Sequence, residues 1–181
     1  GYTQKNGEGY LTKDGKVLAF TLKYPSGNKA REASAPLIQA NLKKVGIKID
    51  LQMVEFATLS KMVFDERDMD LWLMGWSLTT DHDPGPIFSQ DNKWGKVTGW
   101  KNADQQALVD KGVTVLKVSD RKPIYVQWAK IVNDELPYAF LYSQNVIEAV
   151  RADKWKGYPT DIRGALANPH EWWIPKNMQG K

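Results

Sequence analysis

The chain has 181 residues, and its 25 Lys and Arg against 21 Asp and Glu leave a formal net charge of +4. With 42% hydrophobic and 25% charged residues it has the apolar content to bury a core, which excludes disordered, collagen-like and low-complexity classes. It has no Cys, which excludes disulfides, thiolate metal sites and Cys nucleophiles, and no apolar run approaches the roughly 18 residues of a membrane span.

The first ten residues, GYTQKNGEGY, have neither the basic start nor the apolar stretch of a signal peptide. Gly1 in place of Met suggests a processed protein or an excised fragment. Lys13-Asp14-Gly15-Lys16 reads as a turn into a strand over residues 17–24, with Leu18, Phe20 and Leu22 on one face. Pro25-Ser26-Gly27-Asn28 ends it. A helix then runs to Val45 with Gly46 past its end, and Pro36 forces a choice: Ser34 caps a late start, or an earlier start carries Pro36 inside. Ile47, Ile49, Leu51 and Met53 alternate with polar residues as a second strand, completing a β-α-β unit. Residues 58–64 read as a short helix and 65–68 as a turn. Residues 69–78, MDLWLMGWSL, are apolar on both faces and predict a central strand covered on each side. Residues 79–102 predict a long loop, a length that in compact domains is usually functional. Asn102 caps a helix through about Val118, and Ser119 or Asp120 caps the next, which Leu136-Pro137 stops. Residues 138–142 and 145–150 read as strands, followed by an irregular tail.

Charge is uneven along the chain. Residues 1–48 hold nine basic and three acidic side chains, 49–104 hold five and ten, and 105–181 hold eleven and eight. The basic residues are spaced singly apart from Lys43-Lys44 and Arg121-Lys122, so they read as solvated faces and no nucleic-acid partner is expected. The two His, His82 and His170, have no second ligand at helix spacing; His82 between Asp81 and Asp83 reads as a solvated loop residue. No nucleophile elbow, phosphate loop or EF-hand series is present.

The informative segment is residues 75–88, GWSLTTDHDPGPIF, at the end of the predicted central strand, where open α/β sheets bind ligands. Gly75 permits close approach of a ligand backbone, Gly75 and Ser77 offer main-chain groups in the manner of an added strand, and Trp76 offers an aromatic plane. Asp81 and Asp83 supply charge suited to an amine. The structural alternative makes Trp76 a core residue, Gly75 a packing glycine and Asp83-Pro84 a turn.

Four strings in order, GEGYLTKDGKVLAFTLKYPSGN, IQANLKKVGIKIDLQMVEFATL, MDLWLMGWSLTTDHDP and DRKPIYVQWAKIVNDELPYAFLY, extend over most of the chain. In them the chain resembles the C-terminal lobe of the family 5 extracellular solute-binding proteins, the oligopeptide and dipeptide receptors of bacterial ABC importers. The resemblance implies an α/β fold, a periplasmic-binding-protein type II lobe with a mixed central sheet flanked by helices. Residues 1–181 are then a single domain, the C-terminal ligand-binding lobe of a longer receptor that closes with an N-terminal lobe over its ligand. Its expected partners are a peptide and an ABC permease, and its expected location is extracytoplasmic, periplasmic or as a cell-surface lipoprotein. The resemblance places the ligand backbone at Gly75, Trp76 and Ser77 and an amine-pairing Asp four residues after the Gly, where Thr79 stands here. The nearest acid is Asp81, the first candidate, with Asp83 second. Other members bind oligosaccharides, which the eight Trp would suit by stacking, so an oligosaccharide receptor is the alternative. A small hydrolase using Asp81 or Asp83 is the rival from another class. No catalytic residue, metal or cofactor is expected.

Overall fold

Period-two alternation builds the main sheet. Strand β4 (Ala19–Pro25) and strand β5 (Lys48–Val54) run parallel, with Leu22 opposite Leu51 and Phe20 opposite Ile49. Helix α1 (Lys29–Lys44) crosses between them, as the β-α-β reading requires. The computed structural model describes residues 1–77, 81, 83–160 and 164–179. Ahead of this sheet lies a separate antiparallel one of β1 (Gln4–Lys5), β2 (Leu11–Lys13) and β3 (Lys16–Val17). The parallel and antiparallel pairings therefore sit in different sheets. The Leu11 N–H donates to the Gly46 carbonyl at 2.7 Å, which ties the small sheet to the end of α1.

The earlier start is the one α1 takes. The Asn28 side chain accepts the Arg31 N–H at 3.0 Å, and Glu32 accepts the Gly27 N–H at 2.8 Å, satisfying amides that a helix start leaves open. Pro36 is carried inside the helix, so the Glu32 carbonyl receives no N–H from it. At the other end Gly46 has φ +87°, the left-handed geometry that lets the chain turn into β5. Ala35, Ile38 and Leu42 of α1 pack on Leu22, Ile49 and Leu73 to make the sheet's core.

The segment 69–78 corrects the expectation of a long central strand. Only Leu71–Trp72 is strand (β6), and the order β5-β4-β6 makes β4 the central one. Both ends of β6 have a physical cause. The odd residues of β4 turn their main-chain groups toward β6: the Thr21 N–H donates to the Asp70 carboxylate at 2.8 Å, and the Lys23 carbonyl accepts the Leu73 N–H at 2.9 Å. A side chain has taken the place of a ladder acceptor at the start. Next in the odd series is Pro25, which has no N–H, so the ladder cannot continue past Leu73.

The predicted short helix begins earlier, as α2 (Phe56–Lys61) capped by Glu55, and continues as a π turn, Met62–Glu66. The predicted loop 79–102 contains two short helices, α3 (Gly85–Phe88) and α4 (Lys93–Thr98). Helices α5 (Ala103–Val113) and α6 (Val118–Glu135) form a hairpin. Asn102 caps α5 by accepting the Gln105 N–H, as expected, whereas α6 starts from Lys117 and not from Ser119 or Asp120. Glu135 accepts from both Trp100 Nε1 and Asn102 Nδ2 at 2.5 Å, which fastens the end of α6 to the start of α5.

The chain forms two compact units, Gly1–Leu78 with Asp83–Pro137 and Thr79–His82 with Tyr138–Lys181. In the second unit neither expected strand is present: residues 138–150 pair with no strand among the described residues and are almost wholly exposed. β-prone sequence needs a partner edge to become a strand, and the described residues supply none. The tail is irregular as expected, with short 3₁₀ turns at Ala165–Ala167, Pro169–Glu171 and Lys176–Met178 and one bridge between Lys156 and Trp173.

Candidate functional site

The strand order reverses between β4 and β6: the chain steps from β4 to β5 on one side, then returns to β6 on the other. Open α/β sheets bind ligands beyond the carboxyl ends of the strands at such a reversal. Here that end of the sheet holds the exit of β4, the first turn of α1 and residues 73–77. Because Pro25 stops the ladder, the chain leaves the sheet before Gly75, and Gly75 and Ser77 are exposed. Their main-chain groups face no strand partner among the described residues.

One residue that sequence reasoning passed over stands here. A Cβ built on Gly75 would lie 3.0 Å from a guanidinium nitrogen of Arg31, so the missing side chain makes room for that cation. Arg31 is half-buried, and among the described residues no carboxylate pairs with it. Its nearest acid in sequence is already engaged: Glu32 pairs with Lys29 at 3.1 Å and accepts the Gly27 N–H. Those contacts, the Lys29 bond first, hold the Glu32 carboxyl below its ordinary range. A cation in the first turn also opposes the helix dipole, which favours anions at that end. The arrangement breaks a local rule and leaves a cation without a carboxylate partner, among the described residues, at the carboxyl edge of the sheet. The signal in the sequence was Asn28-x-x-Arg31, a cap followed by a base where an acid is usual.

The other candidates separate. Trp76 is half-buried, and its ring meets Trp94 edge-on at 5.7 Å and lies 6.3 Å from Phe88. The chain of rings continues through Phe64 against Trp94 at 4.6 Å and Trp128 against Phe88 at 4.9 Å. Beneath it Gln105, fully buried, accepts from Trp128 Nε1 at 3.1 Å and donates to the Phe88 carbonyl at 3.2 Å. Asp83 is half-buried, and its Oδ1 accepts the Gly85 N–H at 2.8 Å, the geometry of an Asx turn that opens α3. Asp81 is exposed and groups with the second unit. Thr79 lies outside the described residues, as does His82. The structure thus brings Gly75, Ser77 and Arg31 to one edge, with Trp76 turned into the packing behind it. Among the described residues no cluster of three or more His, Cys, Asp or Glu is placed to hold a metal.

Residues 1–99 match the family described as bacterial extracellular solute-binding proteins, family 5 Middle. The oligopeptide-binding protein AppA of Bacillus subtilis is 36% identical over 182 residues, covering 97% of this chain and 33% of that protein. The peptide transport periplasmic protein SapA of Salmonella typhimurium is 26% identical over 162 residues, 84% of this chain and 28% of its own. Among solved structures, AppA of Bacillus subtilis in complex with a nonapeptide superposes with a TM-score of 0.76 at 34% identity, over 97% of this chain and 35% of that one. The chain spans about a third of the length of these relatives.

Proposed function

The chain belongs to the bacterial extracellular solute-binding proteins of family 5, and from that premise we propose that it is part of a peptide receptor serving an ABC importer. Residues 1–181 supply the C-terminal wall of a cleft whose other wall comes from the rest of a longer polypeptide, the receptor works outside the cytoplasm, and it delivers its cargo unaltered to a permease. Family membership makes it a solute-binding protein. The peptide reading draws on the relatives named for peptides and on one observation of this chain, the unneutralised Arg31 beside the bare α-carbon of Gly75. A peptide backbone running past Gly75 and Ser77 would exchange main-chain hydrogen bonds with them, and a carboxylate, either the peptide's terminus or an acidic side chain, would pair with Arg31. Asp81 keeps its proposed role at the amine. An oligosaccharide offers Arg31 no such anion, and Trp76 turns its ring inward, so the geometry favours peptide over sugar.

Titration of the full-length polypeptide with a peptide and its C-terminally amidated twin tests this. Arg31→Gln removes a charge-assisted bond worth about 1.5–3 kcal/mol, a loss of roughly tenfold to a hundredfold in affinity, and the amidated peptide should lose correspondingly less. Equal losses for both twins would remove Arg31 from terminus binding. A receptor that binds di- or oligosaccharides and ignores all peptides would overturn the peptide reading and leave the family standing.

A further inference from the structure

We infer that the tip joining α5 and α6 is a docking point for an anionic lipid surface. The tip is a tight self-contained turn: the Thr114 N–H donates to the Lys111 carbonyl, the Val115 N–H to the Gly112 carbonyl, and the Asp120 and Arg121 N–H groups to the Lys117 carbonyl. Three of its apolar side chains are exposed. Leu116 is 93% exposed, Val118 74% and Val113 52%. Single exposed apolar residues are ordinary, but these three fall within six positions on one turn. No helix among the described residues is long and apolar enough to cross a membrane.

Charge argues for the occupant. The same turn carries Lys111, Lys117, Arg121 and Lys122 against Asp110 and Asp120. Asp120 has a local explanation: it sits in the first turn of α6, where a carboxylate suits the helix dipole, and accepts from the Ser119 hydroxyl at 3.0 Å. Lys111 likewise suits the last turn of α5. Lys117 and Lys122 have no such duty and are exposed beside Leu116 and Val118. An apolar point with Lys117 and Lys122 beside it is complementary to a bilayer surface, whose acyl boundary takes the apolar tip while its anionic headgroups take the ammonium groups. The inference is independent of which solute the protein carries, because the tip lies on α5 and α6 and shares no residue with the Gly75 edge.

Co-sedimentation of the full-length polypeptide with vesicles of pure phosphatidylcholine, and with vesicles one-third phosphatidylglycerol, tests it. The wild type should pellet with the anionic vesicles at least tenfold more strongly than with the neutral ones, and less in high salt. Leu116→Asp with Val118→Asp should weaken pelleting at least tenfold, and Lys117→Glu with Lys122→Glu should abolish the preference for anionic lipid, with circular dichroism unchanged in both. Failure of the wild type to pellet with anionic vesicles, or pelleting unaffected by the apolar pair, would overturn the inference. Binding only to vesicles that carry the reconstituted permease would also overturn it and assign the tip to a protein socket.

Discussion

The regions before and after Pro137 draw on similar amino acids and use them differently. Three of the eight Trp lie after it, so the second region is no poorer in aromatic surface. Every buried apolar side chain among the described residues, from Leu22 to Val132, lies before it. In the second region Trp155 and Tyr158 meet Trp172 at 5.9 and 6.2 Å, but Phe140, Leu141, Val146 and Ile147 remain exposed. Apolar content is therefore not burial. The first region lays its apolar residues at period 2 on β4 and β5 and along one face of α1, so that faces meet. Among its described residues the second has one bridge and short 3₁₀ turns, and nothing of regular period against which a face could close.

A matched pair of truncations tests this contrast most severely. Leu59 is fully buried and Ile147 is 94% exposed. Leu59→Ala should cost about 2–5 kcal/mol by transfer and cavity together, whereas Ile147→Ala should stay within about 0.5 kcal/mol. Chemical denaturation followed by Trp fluorescence measures both. A large loss from Ile147→Ala would show that residues 138–150 are packed in solution, and the contrast would fail.

The second test asks how closely the first region is packed. A Cβ on Gly112 would stand 2.3 Å from the Tyr125 ring, so the α5–α6 hairpin closes only because that side chain is absent. Gly112→Ala should destabilise by about 1–3 kcal/mol through overpacking, although Ala is the better helix former by about 1 kcal/mol. In a Tyr125→Ala background the clash is gone and the same substitution should turn mildly stabilising. A cycle without that change of sign would place the Tyr125 ring elsewhere.

How much of this was legible follows from the range of the interactions involved. The β-α-β unit, the Asn102 cap and the stop at Leu136-Pro137 are set by residues within a few positions of each other, and the sequence reading found them. β6 was misjudged because its limits are imposed from 45 or more positions away: Asp70 answers the Thr21 amide, and Pro25 withholds a donor that no inspection of MDLWLMGWSL reveals. Trp76 could be placed in packing only once Trp94 and Phe88 were folded beside it. Arg31 was missed for the same reason, since nothing in Asn28-Lys29-Ala30-Arg31 says that Gly75 will lie against it. The strands expected over residues 138–150 rested on local propensity alone, which the absence of a partner edge overrode.

The smallest effect comes from a titrating group at the start of the second region. Burial raises Tyr138 from its ordinary value of 10.0 to about 12. A phenol held neutral by burial binds its proton more tightly folded than unfolded. The contribution is therefore fully present below pH 10, declines as the unfolded chain ionises, and is lost as pH rises toward 12. Stability measured between those limits should fall with pH in the wild type and fall less in Tyr138→Phe. Ultraviolet titration of the folded protein should find one Tyr ionising late, and the same variant should remove it. Ionisation of Tyr138 near pH 10 would mean that the second region is open from its first residue, sharpening the contrast beyond what the exposed side chains alone require. Late ionisation makes Tyr138 the point at which order still holds, with the exposed run beginning at Ala139.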